Sequence, residues 1–178
     1  MGFAEFCTQI STPSLGAVVR HWHEARGGKT MPSWENLRPK AIAAQLPIVW
    51  SYRYDTSTGA FTGRLAGDRI AQIIRKNFRG LSLAEAQSPE AFASVYAVFS
   101  RVVREPAVYR CGGRIFRQRD QFGSGERIML PLSSDGIVSD GILGATEYQT
   151  IRLNPDLPVE AVNEMEVWCS LRPAESTA

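Results

Sequence analysis

The chain has 178 residues, of which 44% are hydrophobic and 21% charged, and a formal net charge of +2. A chain of that size can bury a single core without disulfide or metal staples, and so small a charge excess gives no sign of the clustered basic stripe of a nucleic-acid binder. No run of about 18 apolar residues is present to span a membrane, and the first ten residues carry Glu5 and no basic start, so they do not read as a signal peptide.

Residues 1–11 read as an N-terminal tail. Thr12-Pro13 then opens a helix, with a hydroxyl cap followed by a proline at the first helical position, where its missing N–H costs nothing. Leu15, Val18, Val19 and Trp22 recur at helical spacing as one apolar stripe, and Gly27-Gly28 ends the helix. Met31-Pro32-Ser33 leads into a short helical segment at residues 39–45, which Leu46-Pro47 closes.

The run from Ile48 to Tyr54 is β-branched and aromatic, and residues 61–65 form a second strand after a turn at residues 55–59. Asp68 can cap a helix that carries Ile70, Ile73 and Ile74 on one face. Ser88-Pro89-Glu90 is the clearest helix start, with cap, proline and acid near the positive end of the dipole. Phe92, Val95, Tyr96, Phe99, Val102 and Val103 follow at helical spacing until Pro106. Three strands are expected next, at residues 107–111 (resuming near Ile115), 127–132 and 142–150. Gly123-Ser124-Gly125 and Ser133-Ser134-Asp135-Gly136 serve as the connecting turns. Asn154-Pro155 breaks the chain; residues 159–168 suit a helix or an added strand equally, and residues 173–178 should be disordered.

The expected fold is therefore α+β, a five-stranded antiparallel sheet with helices on one face and an N-terminal lead-in helix. A single domain is expected over residues 12–153, with a partly disordered extension over residues 154–178. The order of two strands, helices and three strands is also that of a PAS domain. Specific residues sharpen the comparison: Trp22, Gly27-Gly28, Met31-Pro32-Ser33, Leu37-Arg38-Pro39 and Leu46-Pro47, then Phe61 to Ile70 with its Leu65-Ala66-Gly67 turn, Arg79-Gly80-Leu81, and Glu126 to Gly136 with Pro131-Leu132 and Asp135-Gly136. Over residues 22–148 the chain resembles a family of small stand-alone bacterial, largely alphaproteobacterial, PAS-like proteins. The resemblance implies a non-enzymatic sensory or protein-interaction module, in which a small molecule can lie between sheet and helices and the output passes to a separate partner. Pro131 is expected on an edge or at a bulge, because it donates no ladder hydrogen bond.

The residues themselves offer little chemistry. His21 and His23 lie about 160–200° apart on a helix and cannot share a metal. Cys7, Cys111 and Cys169 are too scattered for a zinc site and fit reduced thiols, Cys111 as a buried core thiol. No phosphate-cradling glycine motif and no carboxylate pair for acid–base work appears. No cofactor, metal or haem is expected, although an unidentified small-molecule ligand is compatible with the pattern. Alternation places Trp50, Tyr52 and Tyr54 on one sheet face, and the candidate pocket residues are these three with Arg64, Tyr96, Arg127 and Met129; one of the two arginines would be the polar anchor. Leu15, Val18, Val19 and Trp22 must bury themselves on their own sheet or on a second subunit, and a homodimer through the lead-in helix is expected. A cytoplasmic location is expected, with no nucleic acid and no membrane insertion. Two other readings remain: a conical-pocket enzyme like the NTF2-like isomerases, which would need a buried Asp/His or Tyr/Asp pair, and a structural homodimer with a collapsed cavity.

Overall fold

A computed structural model describes residues 1–118, 121–152 and 165–171. The chain opens with α1 (Phe3–Thr8) and α2 (Pro13–Arg26), then runs through 3₁₀ turns at Trp34–Asn36 and Pro39–Ile48. The hairpin of β1 (Val49–Tyr54) and β2 (Phe61–Ala66) follows, then α3 (Asp68–Ile74), α4 (Leu83–Ala86) and α5 (Pro89–Arg104). Three long strands, β3 (Ala107–Gln118), β4 (Gln121–Leu132) and β5 (Gly141–Arg152), and then β6 (Met165–Ser170) complete it. All pairings are antiparallel, in the spatial order β2-β1-β5-β4-β3-β6.

The α+β fold stands as expected from the sequence, with three differences. The sheet has six strands, because part of the undecided C-terminal stretch forms β6 on the free edge of β3. Residues 173–178, expected to be disordered, lie outside the described residues. The expected tail contains α1, whose Phe6 is fully buried and whose Phe3 ring lies 6.0 Å from Trp22. Gly123-Ser124-Gly125 is strand, not turn: a side chain at Gly125 would meet the Glu147 carbonyl oxygen at 2.0 Å, so the glycine serves close approach of neighbouring backbones.

Cap chemistry sets most helix boundaries. Ser88 Oγ accepts from the Ala91 N–H at 3.4 Å and starts α5 at Pro89, while Ser82 and Glu85 form a reciprocal capping box on α4. Asp68 is the first residue of α3 rather than its cap, a position Gly67 takes. Pro131 lies in an interior strand and not at an edge. It is tolerated because the β3 pairing with β4 reaches only as far as Met129, and its carbonyl accepts from Trp22 Nε1 at 2.9 Å.

Alternation along the strands sorts the apolar residues onto two faces. Val49, Val108, Ile128, Leu130, Leu143 and Ala145 meet α1, α2 and the Pro39–Ile48 turn. Trp50, Tyr52, Tyr54, Tyr109, Met129 and Ile142 meet α3, α4 and α5. The crossover helices thus occupy one face as expected, and the lead-in helix covers the other. Leu15, Val18, Val19 and Trp22 are between 0% and 1% exposed within their own chain. They are consumed by the core, so the symmetric contact expected through this stripe has no surface to use. Their apolar area is removed from water by the sheet of their own chain, which stabilises the fold.

The lead-in segment is pinned by one carboxylate. Glu126 on β4 is 3% exposed and pairs with Arg110 on β3, whose Nε lies 2.7 Å from Oε1. It also accepts from the Ser11 N–H (3.1 Å), the Ser11 hydroxyl (3.2 Å) and the Thr12 N–H (2.8 Å). Thr12 therefore positions α2 through its backbone, and its hydroxyl makes no cap bond. Burial alone would raise the Glu126 pKa, but the bonds from Thr12, Arg110 and Ser11 outweigh it and hold the group below its ordinary value.

Two expectations follow. Glu126→Gln leaves Arg110 buried without a counter-charge and should cost about 3 kcal/mol in urea denaturation at neutral pH. Because the folded pKa is depressed, this contribution is present above the ordinary glutamate range and lost as pH falls through the folded value, so the gap between variant and wild type should narrow on acidification. A constant gap would contradict the assignment. Val18→Glu buries a charge under the sheet and should cost about 4 kcal/mol or more, seen as loss of the cooperative melt by circular dichroism; a folded variant of wild-type stability would place the stripe on the surface.

Candidate functional site

The face under α3–α5 is not filled. A cavity of about 390 Å³ lies between β1, β4 and β5 on one side and α3, the α4–α5 junction and α5 on the other. Its floor is built by β1. The Trp50 indole lies flat on Gly144 of β5, where a side-chain carbon would come within 2.2 Å of the ring. Trp50 stacks on Phe99 of α5 at 5.6 Å between ring centres, and Tyr52 meets Phe78 and Phe99 edge-on at 5.0 and 5.3 Å. Ile70, Ile73 and Ile74 of α3 and Val95 of α5 form the apolar roof.

The two glycines of the Phe61–Gly67 motif hold α3 in place over this floor. Gly63 exchanges hydrogen bonds with the turn that follows α3, its N–H donating to Leu81 and its carbonyl accepting from Gly80, both at 2.8 Å. A side chain at Gly63 would meet the Phe78 carbonyl oxygen at 2.2 Å, and one at Gly67 the Leu46 carbonyl oxygen at 1.9 Å. Both ends of the α3 segment are thereby tied to the sheet edge. Arg69 adds a third tie, pairing with Glu147 and donating to the Tyr148 carbonyl at 2.8 Å, while Tyr148 donates back to the Arg69 carbonyl at 2.9 Å.

One end of the cavity is polar. Thr146 Oγ1 accepts from Trp50 Nε1 at 2.9 Å and from Arg127 Nε at 3.2 Å. The Arg127 guanidinium also lies 5.8 Å from the Trp50 ring centre. Burial pushes the Tyr52 phenol well above its usual range, with the Arg127 charge pulling weakly the other way, so Tyr52 stays neutral near pH 7. No Asp, Glu or His lines the cavity among the described residues.

Of the seven candidate pocket residues, Trp50, Tyr52 and Arg127 line the cavity and four do not. Tyr54 shares their face but sits further along it, packed on Phe61 at 4.7 Å with its hydroxyl accepting from Arg104 Nε at 3.1 Å. Tyr96 donates its hydroxyl to the Gly59 carbonyl at 3.1 Å and closes the β1–β2 turn. Met129 is 2% exposed, sealed into the core beside the cavity. Arg64 is exposed on β2, stacked 4.1 Å from the Trp34 ring centre and remote from this face, so of the two arginines Arg127 alone lines the cavity. Sequence reasoning missed Thr146, Phe116 and the α4–α5 junction. Thr146 carried a signal, as the polar residue ending the apolar run from Ile142 to Ala145. Phe116 carried none, because the β3 register shifts between Arg114 and Phe116 and turns it toward the cavity.

Both histidines have structural partners. His21 Nε2 accepts from the Arg38 N–H at 2.9 Å, and the His23 ring stacks on Phe3 at 4.5 Å. Cys7 and Cys169 are held protonated by burial, and Cys111 is half-buried rather than enclosed in the core. Among the described residues no cluster of three His, Cys, Asp or Glu side chains could hold a metal ion, and no helix is long and apolar enough to cross a membrane.

A family model described as a PAS domain matches residues 10–147, well over half of the chain. No curated protein and no solved structure matches. The matched span contains both faces of the sheet and every element that lines the cavity, while α1 and β6 lie outside it and pack beside one another. On this match, and on the sheet and helices described above, the chain belongs to the PAS domain family.

Proposed function

We propose that this PAS domain is a non-enzymatic sensory module that takes up a small molecule in the cavity between the sheet and α3–α5 and signals its occupancy to a separate protein, in the cytoplasm. The observation that carries this reading is the cavity itself. It is lined mainly by aromatic and branched side chains and has a small set of polar groups at one end, the usual make-up of a ligand site. Its walls connect outward through few contacts: α3 is tied to β5 through Arg69, and α5 runs from the cavity to β3. A ligand that moves α3 would thus alter the surface around Arg69, Glu147 and Tyr148 and so pass on a signal. Two features weigh against the rival readings. A conical-pocket enzyme needs a titratable pair that this lining lacks, and a purely structural dimer has no use for an open cavity.

Ala91 lines the cavity from α5, and Ala91→Phe should fill it without disturbing the ties of α3. Native mass spectrometry of wild type and variant, purified in parallel from the source cells, should show a non-covalent small-molecule adduct on the wild type alone. Both should give the same far-ultraviolet circular dichroism. Equal loading of the two proteins, or no adduct on either, contradicts the reading.

A further inference from the structure

The polar end of the cavity presents the Arg127 guanidinium and the Thr146 and Tyr52 hydroxyls. Thr146 Oγ1 has both acceptor positions taken, by Trp50 Nε1 and Arg127 Nε, so its hydroxyl hydrogen is the part left to offer. Arg127 is half-buried on β4, forms no ion pair, and uses only Nε within the protein among the described residues. Its two terminal nitrogens are donors by chemistry and have no acceptor among the described residues. Tyr52 is 3% exposed, and its hydroxyl has no hydrogen-bond partner among the described residues. Arg127 is also the one formal charge in the described lining.

A partly desolvated guanidinium with no carboxylate beside it among the described residues favours an anion that accepts from its planar fork. The rest of the lining sets the remainder of the ligand. Trp50, Phe78, Phe99 and Phe116 present ring faces and edges, and the α3 isoleucines offer no polar atom. At the ~0.74 packing of protein interiors, about 390 Å³ holds roughly 15 non-hydrogen atoms. Resting on the reading of the cavity as a ligand site, we infer that it takes a small monocarboxylic acid with a flat apolar body, its carboxylate held by Arg127, Thr146 and Tyr52. A phosphate dianion is the poorer fit, because a single guanidinium supplies the only full positive charge.

The test compares 1-naphthylacetate with its neutral counterpart 1-naphthylacetamide by isothermal titration calorimetry at pH 7, on wild type and on Arg127→Met, which keeps the length of the stem. The wild type should bind the acid about tenfold or more tighter than the amide. Arg127→Met should remove that preference, with an unchanged circular dichroism spectrum. Equal affinity of acid and amide for the wild type, or a preference that survives Arg127→Met, overturns the inference and leaves the cavity reading standing. Failure of both probes to bind the wild type, with Ala91→Phe giving the same blank titration, overturns the inference and the cavity reading together.

Discussion

Strand β1 sends Val49 to one side of the sheet and Trp50, Tyr52 and Tyr54 to the other, and both sides are covered by helices. An antiparallel sheet commonly leaves one face to water. Here the central strands β1, β5 and β4 have none to spare, and their second face needs a cover as long as the sheet itself. The lead-in helix, α1 and the Pro39–Ile48 turn supply it. Once they do, the cavity that Trp50 and Tyr52 floor lies on the face under α3–α5.

The two faces are closed by different means. On the lead-in face Trp22, Leu15, Met31 and Phe6 are wholly buried, and the polar anchor at its rim is saturated, since Glu126 receives four hydrogen bonds including that of Arg110. On the other face the roof helix α3 is tied at its ends and at Arg69, but its isoleucines stand across a gap from Trp50 and Tyr52. The polar anchor there, Arg127 with Thr146, is incomplete. Arg110 has its carboxylate and serves the fold, whereas Arg127 has none among the described residues and lines the cavity. Nothing in the local sequence of Arg110 and Arg127 separates these roles, which are assigned by the strand pairing that puts Arg110 beside Glu126 on one face and Arg127 beside Thr146 on the other.

The sequence was informative where local chemistry decides the outcome. Ser88-Pro89 started α5 as expected, and the alternation of Trp50, Tyr52 and Tyr54 correctly placed them under the helices. The Phe61–Gly67 motif was recognisable, although only the backbone contacts of Gly63 and Gly67 explain why it is built that way. Reasoning failed where distant pairing decides. The stripe on α2 has the same period whether its cover is a sheet or a second subunit, and the glycines at 123 and 125 look like a turn until Phe116 and Glu147 are seen to need the space. Arg64 and Arg127 are equally basic strand residues in one dimension, yet one faces solvent and the other the cavity.

The sheet is close-packed where α1 and α2 cover it, whereas the face under α3–α5 holds a cavity. Xenon enters apolar cavities that are otherwise empty and needs no knowledge of the natural ligand. Methyl-labelled protein should therefore be titrated with xenon pressure and followed by two-dimensional NMR. The account predicts saturable shifts at Ile70, Ile73, Ile74 and Val95, with the methyls of Leu15, Val18, Val19 and Leu130 unmoved. Shifts of equal size on both faces, or shifts confined to the lead-in face, would contradict it.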